Sequence, residues 1–502
     1  MSNDRELNNW EWECFEKWVI KESFVVTDFG PLAGSVSEFS IRRDENLNII
    51  LDTTSINAPK QTSHIPPGTV WIPSDQVKFE NSLLNYSAIA HGVIQKSRSD
   101  SLMSSESERS VTKETSSLTA LEGILVPHSE PHFIIEWFEN MGGSFIWPHS
   151  LSDLTLTEKR RTLQSPKGEI VLISKTGFEG LPQRNSSCCA HISVDGLELF
   201  VGTLQDLKSS NIKKPGFILY KGNPNEEIRT KIRESLSFSL GIYLIHLGST
   251  SFDEHWTPIS FRALSAEALR NNDHRCLAIL PSPLGNRFEW EINPEQLQKI
   301  VVGLYSKYDT YQLQSAFWSY WHAVAAPVHM AAAHFGAAIE ALQNTYIKNH
   351  KTSFKTTILD EHLWSTLYGK IIEFISTLNI LGEDKPIFLN KLQNLNRAPQ
   401  SILMSRFLDS IGIRVGEVEN SAWTNRNRGA HGGSVNLDNA IKVIRENKAL
   451  RILMNRIILA ITNGNTQYYD YYSIGTPTRG TSTRKLKDPI PNETLDNAEN
   501  AK

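Results

Sequence analysis

The hydrophobic period of this chain changes at Pro294, and that change constrains the fold more than any other feature. Before Pro294, short β-branched and aromatic runs recur between turn residues: Phe24–Phe29, Val36–Arg42, Asn48–Asp52, Thr69–Ile72, Phe133–Phe138, Glu169–Ser174 and Gly216–Tyr220. Runs of this kind predict strands. In HISVDGLELFVG, Asp195-Gly196 joins two apolar runs and predicts a hairpin. One helical stripe, Ile228, Ile232, Leu236, Leu240 and Leu244, interrupts this region and predicts a helix over Asn225–His246.

After Pro294 the apolar residues recur every three or four positions. They predict helices over Glu295–Ala325, Val328–Tyr346, Glu361–Leu381, Asp384–Asn396, Ser401–Ile411, Val415–Asn425 and Leu437–Thr462. Pro327 separates the first two, because proline suits a first helical turn and not an interior. The expected fold class is α+β and multidomain: a β-rich region over 1–293, an all-α bundle over 294–475, and a polar tail over 476–502 expected to be disordered. A length of 502 residues, at roughly 100–200 per domain, agrees with more than one domain.

Ser97–Leu118 stands apart, with nine serines among its 22 residues. Its apolar content is too low to offset chain entropy, so it is expected to be a flexible loop or linker. The 51 Lys+Arg and 55 Asp+Glu give a net charge of -4. That excludes a globally basic nucleic-acid binder and leaves room for a local basic site. Four cysteines, Cys14, Cys188, Cys189 and Cys276, without a zinc-ligand spacing, point to a reducing compartment and no metal. The polar amino terminus lacks a secretory pattern, and no apolar run is long enough to span a bilayer. A cytoplasmic protein that does not enter a membrane is the expectation.

The stretch that carries chemistry is Trp423-Thr-Asn-Arg-Asn-Arg-Gly-Ala-His431-Gly-Gly, between two expected helices. Arg426 is permanently charged and can clasp a phosphate with two N–H groups. Four intervening residues later, His431 titrates near neutral pH and can move a proton. Together they suit phosphodiester cleavage without a metal or cofactor. Arg184 and His191 make a similar pair in the β-rich region, without the helical setting. His128 and His132 flank Pro131, which forbids the helix that would align them on a metal. Phe317, Trp318, Tyr320 and Trp321 suit a core or dimer interface, and Tyr468, Tyr469, Tyr471 and Tyr472 suit packing against the body. The chain has no phosphate-cradling GxxxxGK[ST] loop and no GxGxxG after a strand.

Arg426, the adjacent Asn427 and His431 resemble the R-x4-6-H motif of HEPN-domain ribonucleases, in which a polar residue directly follows the arginine. The motif lies late in a helical region and precedes a long amphipathic helix, as in that family. Glu340, in Ala338-Ile-Glu-Ala-Leu342, is similar to the family's acidic helix position. A β-rich front joined to such a domain resembles the ApeA-type anti-phage proteins, here by architecture only. The resemblance implies that His431 is the acid/base for attack by the RNA 2′-hydroxyl and that Arg426 binds the scissile phosphate. It implies that Asn427 orients both or hydrogen-bonds the phosphate, and that Glu340 holds Arg426.

The resemblance further implies a homodimer, an RNA substrate with transfer RNA as one choice, and restraint by the β-rich half until a phage-derived trigger arrives. Two other readings remain open at this point. A HEPN fold also serves as a non-catalytic interaction or nucleotide-binding module beside a ligand-sensing β-rich domain. The β-rich half could itself be the active part, binding carbohydrate or peptide. Arg426, Arg428 and His431 also suit the end of a helix, with Gly429 or Gly432 breaking it.

Overall fold

The structure is a computed structural model that describes residues 24–32, 36–57, 76–81, 85–102, 110–141, 145–153, 156–165, 168–178, 183–203, 216–265, 279–285, 290–378, 382–426 and 437–482. The sequence-predicted strand at Thr69–Ile72 lies outside them. The elements follow the expected α+β order, strands first and helices after.

The strands of the first half are β1 (Val25–Asp28), β2 (Val36–Arg43), β3 (Ile49–Ile56), β4 (Gln76–Asn81), β5 (Tyr86–His91), β6 (Ile94–Leu102), β7 (Ser110–Leu118) and β8 (Ala120–Ile124). They continue as β9 (Phe133–Phe138), β10 (His149–Asp153), β11 (Leu156–Ser165), β12 (Gly168–Phe178), β13 (Gln183–Val194), β14 (Leu197–Thr203) and β15 (Gly216–Lys221). Helix α1 (Glu226–Leu240) follows, then β16 (His246–Phe252) and β17 (Pro258–Leu264). Among the described residues, eleven strands form one sheet in the order β1-β4-β5-β8-β17-β16-β9-β15-β14-β13-β10, and β2-β3-β7-β6 form a second. Alternation dictates the facing: Val77 and Phe79 of β4 are buried, whereas Gln76, Lys78 and Glu80 are exposed. Asp195 and Gly196 turn between β13 and β14 with φ of 51° and 78°, the left-handed pair that a tight hairpin needs.

The helices are α2 (Pro294–Lys307), α3 (Leu313–Ala325), α4 (Val328–Asn349), α5 (Glu361–Ser376), α6 (Asp384–Gln393), α7 (Gln400–Ser410), α8 (Glu417–Asn425) and α9 (Leu437–Thr462). Phe317, Tyr320 and Trp321 of α3 are buried, as is the row Leu450, Leu453, Met454, Ile457 and Ile458 along α9. Helices α5 and α6 differ: Leu363, Leu367, Phe374 and Ile387 are exposed, and α6 buries nothing.

Contacts divide the chain into two compact units: Met1–Arg233 with Ile242–Ala278 and Leu284–Gln298, and Glu234–Gly241 with Ile279–Pro283 and Lys299–Lys502. The division is therefore interleaved and not a single cut at Pro294. The carboxy-terminal half of α1 belongs to the second unit, where Phe238 stacks on Phe317 at 5.4 Å between ring centroids.

Four expectations are corrected. The serine-rich 97–118 segment is not a free linker: β6 and β7 occupy most of it, with 103–109 outside the described residues. Side-chain hydrogen bonds take the place of apolar burial there. Thr112 donates to Asp100 at 2.6 Å, Thr115 to Asp52 at 2.7 Å, and buried Glu114 accepts from Gln95 at 3.0 Å. Helix α1 stops at Leu240 and not His246, because Gly241 takes φ 64° where a Cβ would lie 2.1 Å from the Ile279 carbonyl oxygen. The expected helix Glu295–Ala325 is two helices, broken where Gln312 adopts φ 50°. The tail is ordered to 482: β18 (Gln467–Tyr469) pairs with β19 (Thr478–Gly480), and Arg479 bonds Asp470 at 2.5 Å. Residues 483–502 lie outside the described set.

Candidate functional site

Helix α8 delivers Arg426, and its sequence explains why it forms and where it sits. Glu417 and Glu419 occupy its first turn, where carboxylates suit the positive end of the helix dipole, and Glu419 accepts the Gly416 N–H at 2.9 Å. The same Glu419 meets Arg456 of α9 at 3.1 Å, with both side chains fully buried. Arg456 also donates to the carbonyls of Arg414 and Thr481. At the other end of α8, Asn425 donates to Glu446 of α9 at 2.6 Å. The helix that presents Arg426 is thus tied down at both ends.

Arg426 follows the last residue of α8 and still has helical backbone angles. Its Nη1 donates to the Trp423 carbonyl at 2.7 Å, its Nη2 pairs with the Glu340 carboxylate of α4, and its guanidinium lies 3.8 Å from the Trp423 ring centroid. Gly336, one turn before Glu340, makes that approach possible, since a Cβ there would lie 2.8 Å from Arg426 Cδ. The arginine side chain is 13% exposed and the glutamate 37%, so the arginine is largely covered and the pair reaches the surface through the glutamate. Two of the sequence-predicted site residues are therefore brought together. Asn427 and His431 lie outside the described residues, as does Arg428. A groove of about 600 Å³ runs beside this point, with Trp423, Asn420 and Thr424 on the α8 side and Ser405, Leu408 and Asp409 on the α7 side.

The remaining candidates separate. Trp318 is 60% exposed although Phe317, Tyr320 and Trp321 are core, and it stacks on His322 at 3.9 Å. Tyr468 and Tyr469 are buried. His191 is exposed and stacks on Phe200. Among the described residues, no group of three or more His, Cys, Asp or Glu could hold a metal ion, and no helix is long and apolar enough to cross a membrane.

Sequence reasoning missed a charged cluster in the β-rich unit. Glu136 sits in the middle of β9 and is fully buried, with Tyr220 donating to it at 2.9 Å. Arg233 and Arg229 of α1 lie against it, the latter at 3.6 Å, and both also bond Glu226. Burial raises the Glu136 carboxyl above its ordinary range even though Arg233 and Arg229 pull it down. His246 lies 3.8 Å from Glu136, and burial, then Arg233 and Arg229, hold its imidazole well below the usual histidine range. Strand register extends the cluster into a row: Glu122, Arg262, Ser249 and Glu136 stand opposite one another on β8, β17, β16 and β9. The signal was present in Phe133–Phe138, where a lone glutamate interrupts an apolar run and so requires a cation.

Comparison with protein-family models, with curated proteins and with solved structures returns no match for this chain.

Proposed function

We propose that the helical unit is a metal-independent HEPN endoribonuclease and that the chain acts as an anti-phage defence effector. The observation that carries this reading is the Arg426–Glu340 pair. An arginine late in a helical unit, held by a glutamate of an earlier helix in a pair that reaches the surface, is what the motif resemblance requires of its phosphate-binding residue. A guanidinium so fixed can receive the scissile phosphate and stabilise the charge that grows on its oxygens. In this reading His431 moves the proton. The 2′-hydroxyl loses its proton and attacks the adjacent phosphorus, the bond to the 5′-oxygen breaks, and that oxygen is protonated, leaving a cyclic phosphate. Asn427 orients the two, and need of a 2′-hydroxyl selects RNA over DNA.

Three further parts belong to the same proposal. Transfer RNA, with exposed loops, is the substrate class that fits single-strand recognition. The β-rich unit restrains the enzyme until a phage-derived trigger binds. The exposed apolar positions Leu363, Leu367 and Phe374 of α5 support a homodimer.

The test is incubation of purified protein with total RNA in EDTA, beside His431→Ala and Arg426→Ala. Cleavage ending in cyclic phosphate and lost in both variants is the expected result. Absence of cleavage, with trigger-bearing lysate included, would leave a non-catalytic binding module. Cleavage that survives His431→Ala would overturn the site.

A further inference from the structure

The geometry points to the groove between α7 and α8 as a nucleobase subsite that reads the base next to the phosphate held by Arg426. This inference rests on the ribonuclease reading and extends it from where the phosphate sits to what is recognised beside it. Three observations converge.

The first is continuity. Trp423 is at once a wall of the groove and the ring on which the Arg426 guanidinium lies, at 3.8 Å. Arg426 is outside the groove lining, so a nucleotide whose phosphate meets it reaches the groove past the Trp423 ring. The second is composition. The floor is apolar, with Met404, Leu408, Ile413 and Leu453 all buried, and the rim is polar, with Asp409, Asn420 and Thr424 exposed. An apolar floor with a few convergent polar groups is how small planar ligands are held, and the roughly 600 Å³ volume falls in the range of such sites. The third is rigidity. The α8 wall is fixed by the buried Glu419–Arg456 pair and by the Asn425–Glu446 bond, so the rim is preorganised rather than assembled on binding.

The rim chemistry also states a preference. The Asp409 carboxylate can only accept, so it pairs with an exocyclic amine, which adenine, cytosine and guanine carry and uracil lacks. The Asn420 amide both donates and accepts, matching an amine and its neighbouring ring nitrogen. The recognised chemistry is thus an amino-bearing base. It can arrive within an RNA strand or as a free nucleotide, and continuity with the Arg426 site favours the strand.

The test maps the bases flanking every cut made by the full-length protein in total RNA. It also measures binding of 2′-O-methyl oligoribonucleotides, which resist cleavage, and of AMP, CMP and UMP. Expected is a preference of about tenfold for an amino-bearing base over uracil on one side of the cut. Asp409→Ala and Asn420→Ala should reduce that preference to within about threefold, through slower cleavage beside amino-bearing bases and with cleavage beside uracil little altered. Ser405→Trp, on the exposed rim, should block oligonucleotide binding without unfolding the protein, as thermal melting would check. Cleavage without a flanking preference, or a preference untouched by the rim variants, overturns the subsite and leaves the ribonuclease reading standing. Absence of cleavage with base-dependent oligonucleotide binding lost in Asp409→Ala does the reverse. Mononucleotide binding as tight as oligonucleotide binding overturns the assignment to an RNA strand.

Discussion

At Glu136 a fully buried carboxylate gathers Arg229, Arg233 and Tyr220 around itself, whereas at Arg426 one guanidinium meets one carboxylate that is 37% exposed. Both are arginine–glutamate pairs, and their surroundings give them opposite uses. In the first, every charge is answered within the protein, and the cluster fastens α1 to the sheet. In the second, the arginine is as covered as Arg229 and Arg233, 13% in each case, but its carboxylate partner reaches the surface, where a phosphate can compete for the guanidinium. Burial with full pairing marks structure, and partial pairing at a surface marks a place for a ligand.

The comparison predicts which variants lose folding and which lose activity. The largest effect is expected at Glu136→Ala. Removing the carboxylate leaves two arginines, each 13% exposed, sharing Glu226 alone, and should cost about 3–5 kcal/mol, read by denaturant unfolding. A loss below about 1 kcal/mol would show that water reaches the cluster and that the contrast with Arg426 is not one of burial.

Arg426→Ala is expected to behave in the opposite way. Its removal should lower RNA cleavage by about 10²–10³-fold, the usual cost of losing one group that stabilises a developing oxyanion. The midpoint of unfolding should move little, because the arginine side chain anchors no buried partner. A variant that unfolds instead would place Arg426 with Glu136 as a structural residue. Next in size is Gly336→Ala. Its new Cβ would lie 2.8 Å from Arg426 Cδ and push the arm off α4, so cleavage should fall about tenfold with stability nearly unchanged. Glu340→Gln keeps the shape and removes the charge, and a loss of a few-fold is expected. Unchanged rates in both variants would mean that Arg426 does not need α4 to be positioned.

How much of this was legible depends on whether the signal is local. Helix α9 reads directly from Leu437–Thr462, because its apolar stripe is long and uninterrupted. Strands β6 and β7 were hidden, because their stability comes from cross-strand partners such as Asp52 and Asp100 that no local pattern reveals. The Arg426–Glu340 pairing spans 86 positions and was reached through a motif, not through periodicity. The Glu136 cluster had only a lone glutamate in an apolar strand to announce it, and its arginines sit on a helix almost 100 residues away.

The smallest effect is a slope in stability with pH, and it separates the two regions once more. His246 is kept neutral in the folded protein by burial, then by Arg233 and Arg229, and its Nε2 donates to the Gly248 carbonyl at 2.9 Å. In the unfolded chain it takes up a proton near pH 6.5. Between that value and its lower folded one, the unfolded state binds more protons, so stability rises with pH and is lost as pH falls. One proton limits the slope to about 1.4 kcal/mol per pH unit. Glu136 works in the other sense, since burial raises its carboxyl and the folded state then takes up a proton earlier on acidification. The net slope from pH 7 to 5.5 should therefore be positive and modest, and His246→Gln should flatten it by removing the histidine's share. Urea unfolding of the wild type and this variant at several pH values measures it. Equal slopes in the two proteins would mean that His246 takes up its proton as readily in the fold as in the unfolded chain. The cluster would then gain a positive charge on acidification without cost, which a fully buried and fully paired structural cluster should not do.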